Sequence, residues 1–397
     1  MMPVIFREIV LRIVIAPDSY KGSVSAPEVA NAMARGIHSV FPSAEVCKVP
    51  IADGGEGTVE ALVMATGGRL RMSEVTGPLG DRIMAQWGIL GDTRTAVIEM
   101  AAASGLPLVP TEFRNPRITT TLGTGELIRA ALDAGLRRII LGIGGSATND
   151  GGVGMARALG AHFLDAQGNE LPEGGAALAN LAKIDLGNLD SRLHELELIV
   201  ACDVDNPLCG PRGASAVFGP QKGATPSVIA QLDAALAHFA EYAQRVTGRD
   251  RANVAGAGAA GGLGAGLLFF TSAELKPGVD IVLEAVGFAN VVQRAAFVLT
   301  GEGRTDFQTA YGKAPVGVAK VAKQFGVPVF CISGGLGDGA NDVLAKGIDA
   351  VMSICDCPMT LEDCMKNGPA LIEAAAARLC QIARSFIDTC GTRTLRE

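Results

Sequence analysis

IVIAPDSYKGSVSAPEVANAMARGIHSVFP, residues 13–42, carries the pattern from which the fold is read. Ile13-Val14-Ile15 is apolar and β-branched, the composition of a central strand. Ala16 to Gly22 is a polar loop at that strand's carboxyl end. Ser25 stands where a helix cap is needed, with Glu28 three residues later as its capping-box partner. Val29, Met33, Ile37 and Val40 recur at helical spacing and form one apolar stripe. Phe41-Pro42 stops the helix. Strand, polar loop and amphipathic helix in succession are the building unit of an α/β fold.

Working outward, Val46 to Ile51 reads as a second short strand, followed by the polar loop Asp53 to Thr58 and a helix over 58–66. Residues 71–122 break the pattern with short segments, prolines and turns, among which Val97-Ile98 belongs to a strand. A helix over 124–134 and a strand over 137–141 lead into the glycine-rich stretch GIGGSATNDGG, 142–152, and a helix over 152–159. Residues 165–195 are weakly periodic. Leu198-Ile199-Val200 leads to Asp203 and the Asn206-Pro207 turn. Gly219 to Gly223 is another polar turn, before a helix over roughly 226–246. Residues 254–270, VAGAGAAGGLGAGLLFF, are too short and glycine-rich for a membrane span and read as a buried helix behind a close-approach loop. Phe297-Val298-Leu299 is a strand feeding a polar loop, Thr300 to Asp306. A helix over 314–325, strands over 328–332 and 350–354, and a helix over 367–386 resume the opening alternation.

These elements predict an α/β, two-domain protein. A Rossmann-like or flavodoxin-like discontinuous domain is built from 11–70 and 285–397. An inserted mixed α/β domain covers 71–284, and the cleft between the domains is the default ligand site. Two sequential domains are the alternative arrangement.

The 397 residues supply a core easily, with 48% hydrophobic side chains. Lys+Arg 34 against Asp+Glu 41 gives a net charge of −7, which argues against a nucleic-acid partner and suits a cytoplasmic protein. The nine cysteines contain no CxxC pair, Cys355-Asp356-Cys357 does not match a usual zinc spacing, and the four histidines are scattered. Reduced, structural thiols are therefore expected. The N-terminal MMPVIFREIVLRIVIAP carries Arg7, Glu8 and Arg12, lacks a signal-peptide pattern, and reads as an extension into the first strand.

No GxxxxGK[ST] phosphate loop occurs, but Gly142-Ile143-Gly144-Gly145-Ser146 approximates that chemistry, because its main-chain N–H groups can form a nest for a carboxylate or phosphate. Asp18, Asp53, Glu56, Asp150, Asp203, Glu302 and Asp306 all follow or adjoin apolar strands, which points to shared chemistry at the sheet's carboxyl edge. Carboxylates favour Mg²⁺ and its phosphate partners, and Lys21, Lys222, Arg304 and Lys313 can balance phosphate charge. The residues point to phosphoryl transfer, with another organic-acid enzyme, a sugar-phosphate isomerase or a non-catalytic organic-acid-binding protein as alternatives.

APDSYKGSVSA (16–26), PIADGGEGT (50–58), GIGGSATNDGG (142–152), ACDVDNPLCGPRGA (201–214), FGPQKG (218–223), GAGAAGGLG (256–264) and TGEGRTDFQTAYGKAPVGVA (300–319) together resemble the bacterial glycerate kinase family, the members unrelated to P-loop proteins. Cys209, Thr305 and Phe307 depart from the more usual residues of its motifs. The resemblance implies ATP-dependent phosphorylation of D-glycerate with Mg²⁺. It favours the C2 hydroxyl and 2-phosphoglycerate over a 3-kinase giving 3-phosphoglycerate. Asp203 is the expected general base, with Asp150 and Asp18 as rivals and orientation of Mg²⁺ as its alternative role; Lys21 and Arg304 are the expected catalytic cations. Asp18, Ser19, Gly144, Gly145, Ser146, Thr148, Asn149 and Asp150 are the expected substrate contacts. Gly54, Gly55, Glu56, Lys222, Gly301, Glu302 and Lys313 are the expected ATP contacts, and Asp53 and Asp306 the expected metal ligands. The partner is a small molecule; neither nucleic acid nor membrane is expected, and homo-oligomerisation is left open.

Overall fold

The computed structural model describes residues 11–51, 55 and 57–393. The chain divides into two compact units. One is built from both chain ends, up to Asp53 and from Val282 onward; the other is Gly54–Ile281.

In the first unit, five parallel strands run in the order Glu45–Lys48, Arg12–Pro17, Phe297–Thr305, Val329–Leu336 and Ala350–Ser353. Counted in chain order within the unit, this is 2-1-3-4-5, the flavodoxin-like doubly wound arrangement. Ile13, Ile15, Phe297 and Leu299 face one way, against Val29, Met33 and Ile37 of helix Ala26–Val40 and Ile372, Ala375 and Ala376 of helix Gly368–Arg393. A Cβ at Gly36 would lie 2.3 Å from the Glu373 carbonyl oxygen, so the two helices meet backbone to backbone. Val14 and Val298, fully buried, face the opposite way, and helix Ala314–Lys323 buries Val318, Ala319 and Ala322 on the sheet. Each such buried Val or Ile contributes about 1.5–3 kcal/mol, so the two central strands are firmly anchored. The capping box expected at Ser25 is present: the Glu28 carboxylate accepts from the Ser25 N–H (3.2 Å) and hydroxyl (2.8 Å).

One reading of this unit changes. Thr300 to Thr305 is strand rather than loop, because Gly301 to Thr305 continues the ladder alongside Ile332 to Leu336. A Cβ at Gly301 would lie 1.9 Å from the Ile332 carbonyl oxygen, so its glycine permits close strand approach and makes no turn. The final helix read over 367–386 stands as Gly368–Arg393, and a short helix that the sequence reading did not include, Leu361–Lys366, precedes it.

The second unit holds a six-stranded sheet in the order Glu274–Lys276, Glu197–Ala201, Arg138–Gly142, Thr95–Glu99, Arg82–Ile89 and Arg69–Thr76; the first four are parallel, and Arg82–Ile89 runs antiparallel to both its neighbours. Residues 71–122 therefore hold more strand than their prolines suggest. Helix Thr58–Thr66 belongs here and not with the chain ends. Val59 and Val63 fill the space above Gly88, and the Glu99 carboxylate accepts the Val59 N–H at 2.8 Å. Phe163, Phe239, Phe269 and Phe270 form a second core. The buried helix read from 254–270 is Ala259–Phe270, whose Ala260, Gly261 and Gly262 have positive φ (54°, 68° and 89°). That kink lets the Gly261 carbonyl accept the Gly151 N–H at 3.0 Å. Among the described residues, no helix is long and apolar enough to cross a membrane.

Candidate active site

Chemistry-bearing side chains gather in two places, one in each unit. In the first, strands Arg12–Pro17 and Phe297–Thr305 are the neighbours at which the strand order reverses, the position where doubly wound sheets bind ligands. The loop leaving the first strand starts against the body of the second, since the Asp18 N–H donates to the Gly301 carbonyl at 2.8 Å. A cavity of about 690 Å³ opens there. Asp18, Ser19, Lys21, Glu302, Arg304, Asp306 and Lys313 line it, and Ile354, Met359, Leu361 and Met365 give it an apolar wall.

These polar groups are held by a network. Glu302 is buried and accepts from the Thr309 hydroxyl (2.6 Å) and the Thr305 hydroxyl (3.3 Å); Thr305 in turn meets Ser333 at 2.6 Å. Burial raises the Glu302 pKa against the opposing pull of Thr309 and the Lys313 charge. Asp306 Oδ1 accepts the Gln308 N–H at 2.9 Å, and Asp306 Oδ2 lies 3.7 Å from the exposed Arg304 Nε. Asp18 Oδ1 accepts the Ser19 N–H at 2.6 Å. Tyr20, fully buried, anchors the loop by donating to the Ile332 carbonyl at 2.7 Å.

In the second unit, loop 142–152 leaves the carboxyl end of strand Arg138–Gly142. Gly144 and Gly145 are exposed, and Gly145 has a φ of 74°. Lys222 is fully buried and donates to the Ser146 hydroxyl (2.8 Å) and the Thr148 carbonyl (2.6 Å). Burial lowers its pKa to about 7, although the Asp150 charge pulls the other way. Asn149 Nδ2 donates to Ser215 at 3.0 Å. Thr148 Oγ1 and Asn149 Oδ1 are buried with no hydrogen-bond partner, an expensive condition unless a ligand or water completes it.

Asp150 is a different case. Its Oδ2 accepts from the Thr121 N–H (2.8 Å), the Thr121 hydroxyl (2.8 Å) and the Gly154 N–H (3.2 Å), and its Oδ1 from the Gly152 N–H (3.1 Å). It is buried, with its pKa raised by desolvation, and it holds the loop in shape. Asp203 follows strand Glu197–Ala201, which pairs with Arg138–Gly142 so that Ala201 lies beside Gly142. Its carboxylate is exposed, and Oδ1 accepts the Gly278 N–H at 2.9 Å.

One cavity thus collects residues that the sequence distributes among catalytic, substrate, nucleotide and metal roles. Gly301 lies inside the strand beneath it. Lys222, expected with the nucleotide group, is joined to the Ser146 loop instead. Gly55 precedes helix Thr58–Thr66, its carbonyl accepting the Thr58 hydroxyl at 2.7 Å. Asp53, Gly54 and Glu56 lie outside the described residues. Sequence reading missed Tyr20, Thr305, Thr309 and Ser333 as organisers of the cavity, and Cys355 and Cys364 in its wall. Among the described residues, no three histidine, cysteine or carboxylate side chains form a ready-made metal site.

The glycerate kinase family matches residues 13–384. A glycerate kinase of Bacillus subtilis (strain 168) is 57% identical over 92% of this chain and 96% of its own length. The glycerate 2-kinase of Escherichia coli (strain K12) is 51% identical over 96% of this chain and 98% of its own. The chain belongs to the glycerate kinase family. A crystal structure from Salmonella typhimurium LT2, provisionally named glycerate kinase 2, is 51% identical and superposes with a TM-score of 0.88 over 96% of this chain and 100% of that one. The chain is accordingly a kinase with an α/β fold, and the two polar clusters belong to a phosphotransferase.

Proposed function

We propose that the protein transfers the γ-phosphoryl group of ATP to the C2 hydroxyl of D-glycerate, giving 2-phosphoglycerate and ADP. The cavity of the first unit carries this reading: a charged edge of Asp18, Lys21, Glu302, Arg304, Asp306 and Lys313 meets an apolar wall, which suits a triphosphate joined to a base. The E. coli relative's name supports the C2 hydroxyl. The free thiols found at every described cysteine suit a reducing cytoplasm.

Lys21, Arg304 and Lys313 neutralise phosphate charge in this reading, which phosphoryl transfer requires more than covalent assistance. The cavity's hard oxygen donors fit Mg²⁺. Mg²⁺ keeps several waters and takes one or two carboxylates together with substrate phosphates. Asp306 would hold the ion, which supplies charge neutralisation when bound. Glycerate lies on loop 142–152, where Ser146 and the unpartnered Thr148 and Asn149 oxygens offer hydrogen bonds to a small hydroxy acid. Asp203 is the proton acceptor for the attacking hydroxyl. Its exposed carboxylate at the adjoining strand end supports this role, whereas the Asp150 carboxylate already accepts four hydrogen bonds.

The test supplies Mg·ATP with each glycerate enantiomer, measures ADP, and identifies the product by NMR. ADP and 2-phosphoglycerate in equal amounts are expected from the D form. Phosphorylation at C3 would reject the assigned hydroxyl, and absence of an ADP-linked product from folded protein would reject the activity.

A further inference from the structure

Cys355 and Cys364 hold their sulfurs 3.5 Å apart. Cys355 follows strand Ala350–Ser353 and is exposed, while Cys364 sits in helix Leu361–Lys366 and is half-buried. Both line the 690 Å³ cavity, between its apolar wall and Gly334, whose carbonyl lies 3.7 Å from the Cys355 sulfur. Cys357, two residues beyond Cys355, is exposed and lies outside the cavity lining. Cys364 packs against the edge of the first unit's apolar core, whereas the exposed Cys355 sulfur stands outside it, unlike a merely structural thiol.

We propose that Cys355 and Cys364 form a reversible disulfide that regulates nucleotide binding, with a hydroperoxide as the oxidant. The exposed Cys355 reacts first. Its deprotonated sulfur attacks the peroxide, an S–O bond forms as the O–O bond breaks, and the departing oxygen takes up a proton. The Cys364 sulfur then attacks the Cys355 sulfur. An S–S bond forms, the S–O bond breaks, and the hydroxyl leaves as water with the Cys364 proton. The cysteine pair loses two electrons and the peroxide gains them. The sulfurs need only approach from 3.5 Å to about 2.05 Å, which ties the loop before helix Leu361–Lys366 to the helix itself. Burial and the neighbouring sulfur push the Cys364 thiol up to about 11, in keeping with its role as the second, resolving thiol.

The crosslink draws in the cavity wall and removes the Cys355 thiol from Gly334. Its effect on nucleotide affinity rests on the proposed ATP site; the crosslink itself does not. The full-length protein is treated with hydrogen peroxide and compared with the reduced form. Expected are loss of the mass of two hydrogens, a peptide joining Cys355 to Cys364, and a KM for ATP raised about fivefold, equivalent to roughly 1 kcal/mol. Dithiothreitol should reverse all three. Cys357→Ser should respond like the parent, whereas Cys355→Ser and Cys364→Ser should lose the oxidant response of KM. A bond between Cys355 and Cys357, or oxidation without any crosslink, would overturn the pairing. Alkylation of the reduced thiols with and without ATP separates the two layers. Failure of ATP to protect them would reject the nucleotide placement. Protection together with an unchanged KM after crosslinking would reject the regulation.

Discussion

Asp150 shows how a polar residue in a functional loop can serve the fold. Four donors converge on its buried carboxylate, three of them backbone N–H groups. Asp150→Ala leaves those groups without an acceptor, and each buried orphan costs about 1–3 kcal/mol. The variant should lose on the order of 3–5 kcal/mol of stability by urea denaturation; a midpoint equal to the parent's would contradict the structural role. Thr121, 29 residues earlier, supplies two of the donors, so the sequence shows the acidic residue but not its partner. Lys222 is equally illegible: a lysine in FGPQKG looks like a surface cation, and only the fold buries it against Ser146 and Thr148. Its pKa, lowered to about 7, makes a signed prediction. Between about pH 7 and the usual lysine value near 10.4, the unfolded chain binds a proton that the native chain lacks, so this group makes stability rise with pH in that window. The parent should therefore gain on Lys222→Met by a few kcal/mol between pH 6.5 and 9.5. Parallel denaturation profiles across that range would refute the buried, readily neutralised lysine.

At the scale of elements, strand and helix alternation is legible wherever apolar periodicity is strong. The strand beginning at Arg12, the helix after Ser25 and the helix over 58–66 all stand where their side chains indicate. GEGRT, 301–305, is misread because glycine and charge in sequence mean a loop, whereas a neighbouring strand supplies its backbone partners. This ladder carries Glu302 and Arg304 to the cavity edge. Gly301→Ala puts a methyl 1.9 Å from the Ile332 carbonyl and must part the two strands. It should cost about 1–3 kcal/mol, the usual range for overpacking, with a lower Tm and a raised KM for ATP because Glu302 moves with the strand. An unchanged Tm would show that the strands do not meet as closely as described. The same long-range logic places helix Thr58–Thr66: its own sequence indicates a helix, but Glu99, 40 residues away, assigns it to the second unit.

On the scale of the whole molecule, two sheets each send polar loops from the carboxyl ends of parallel strands, and each unit has its own cluster. The discontinuous origin of the first unit is legible in the resumed alternation after Phe297. The division of labour is not, because the motifs list charged groups without saying which ones share a pocket. If the first unit takes the nucleotide and the second takes glycerate, variants in each should separate the two Michaelis constants. Lys313→Ala removes a cavity cation at the start of helix Ala314–Lys323, where phosphate is favoured; it should raise the KM for ATP about tenfold and leave that for glycerate nearly unchanged. Ser146→Ala removes a hydroxyl from loop 142–152 and should do the reverse, by about fivefold. Their effects should multiply in the double variant, since neither residue shares a partner with the other. Steady-state kinetics with each substrate varied at saturation of the other would decide the matter. A rise in glycerate KM from Lys313→Ala as large as the rise in ATP KM would overturn the assignment of nucleotide to the first unit alone.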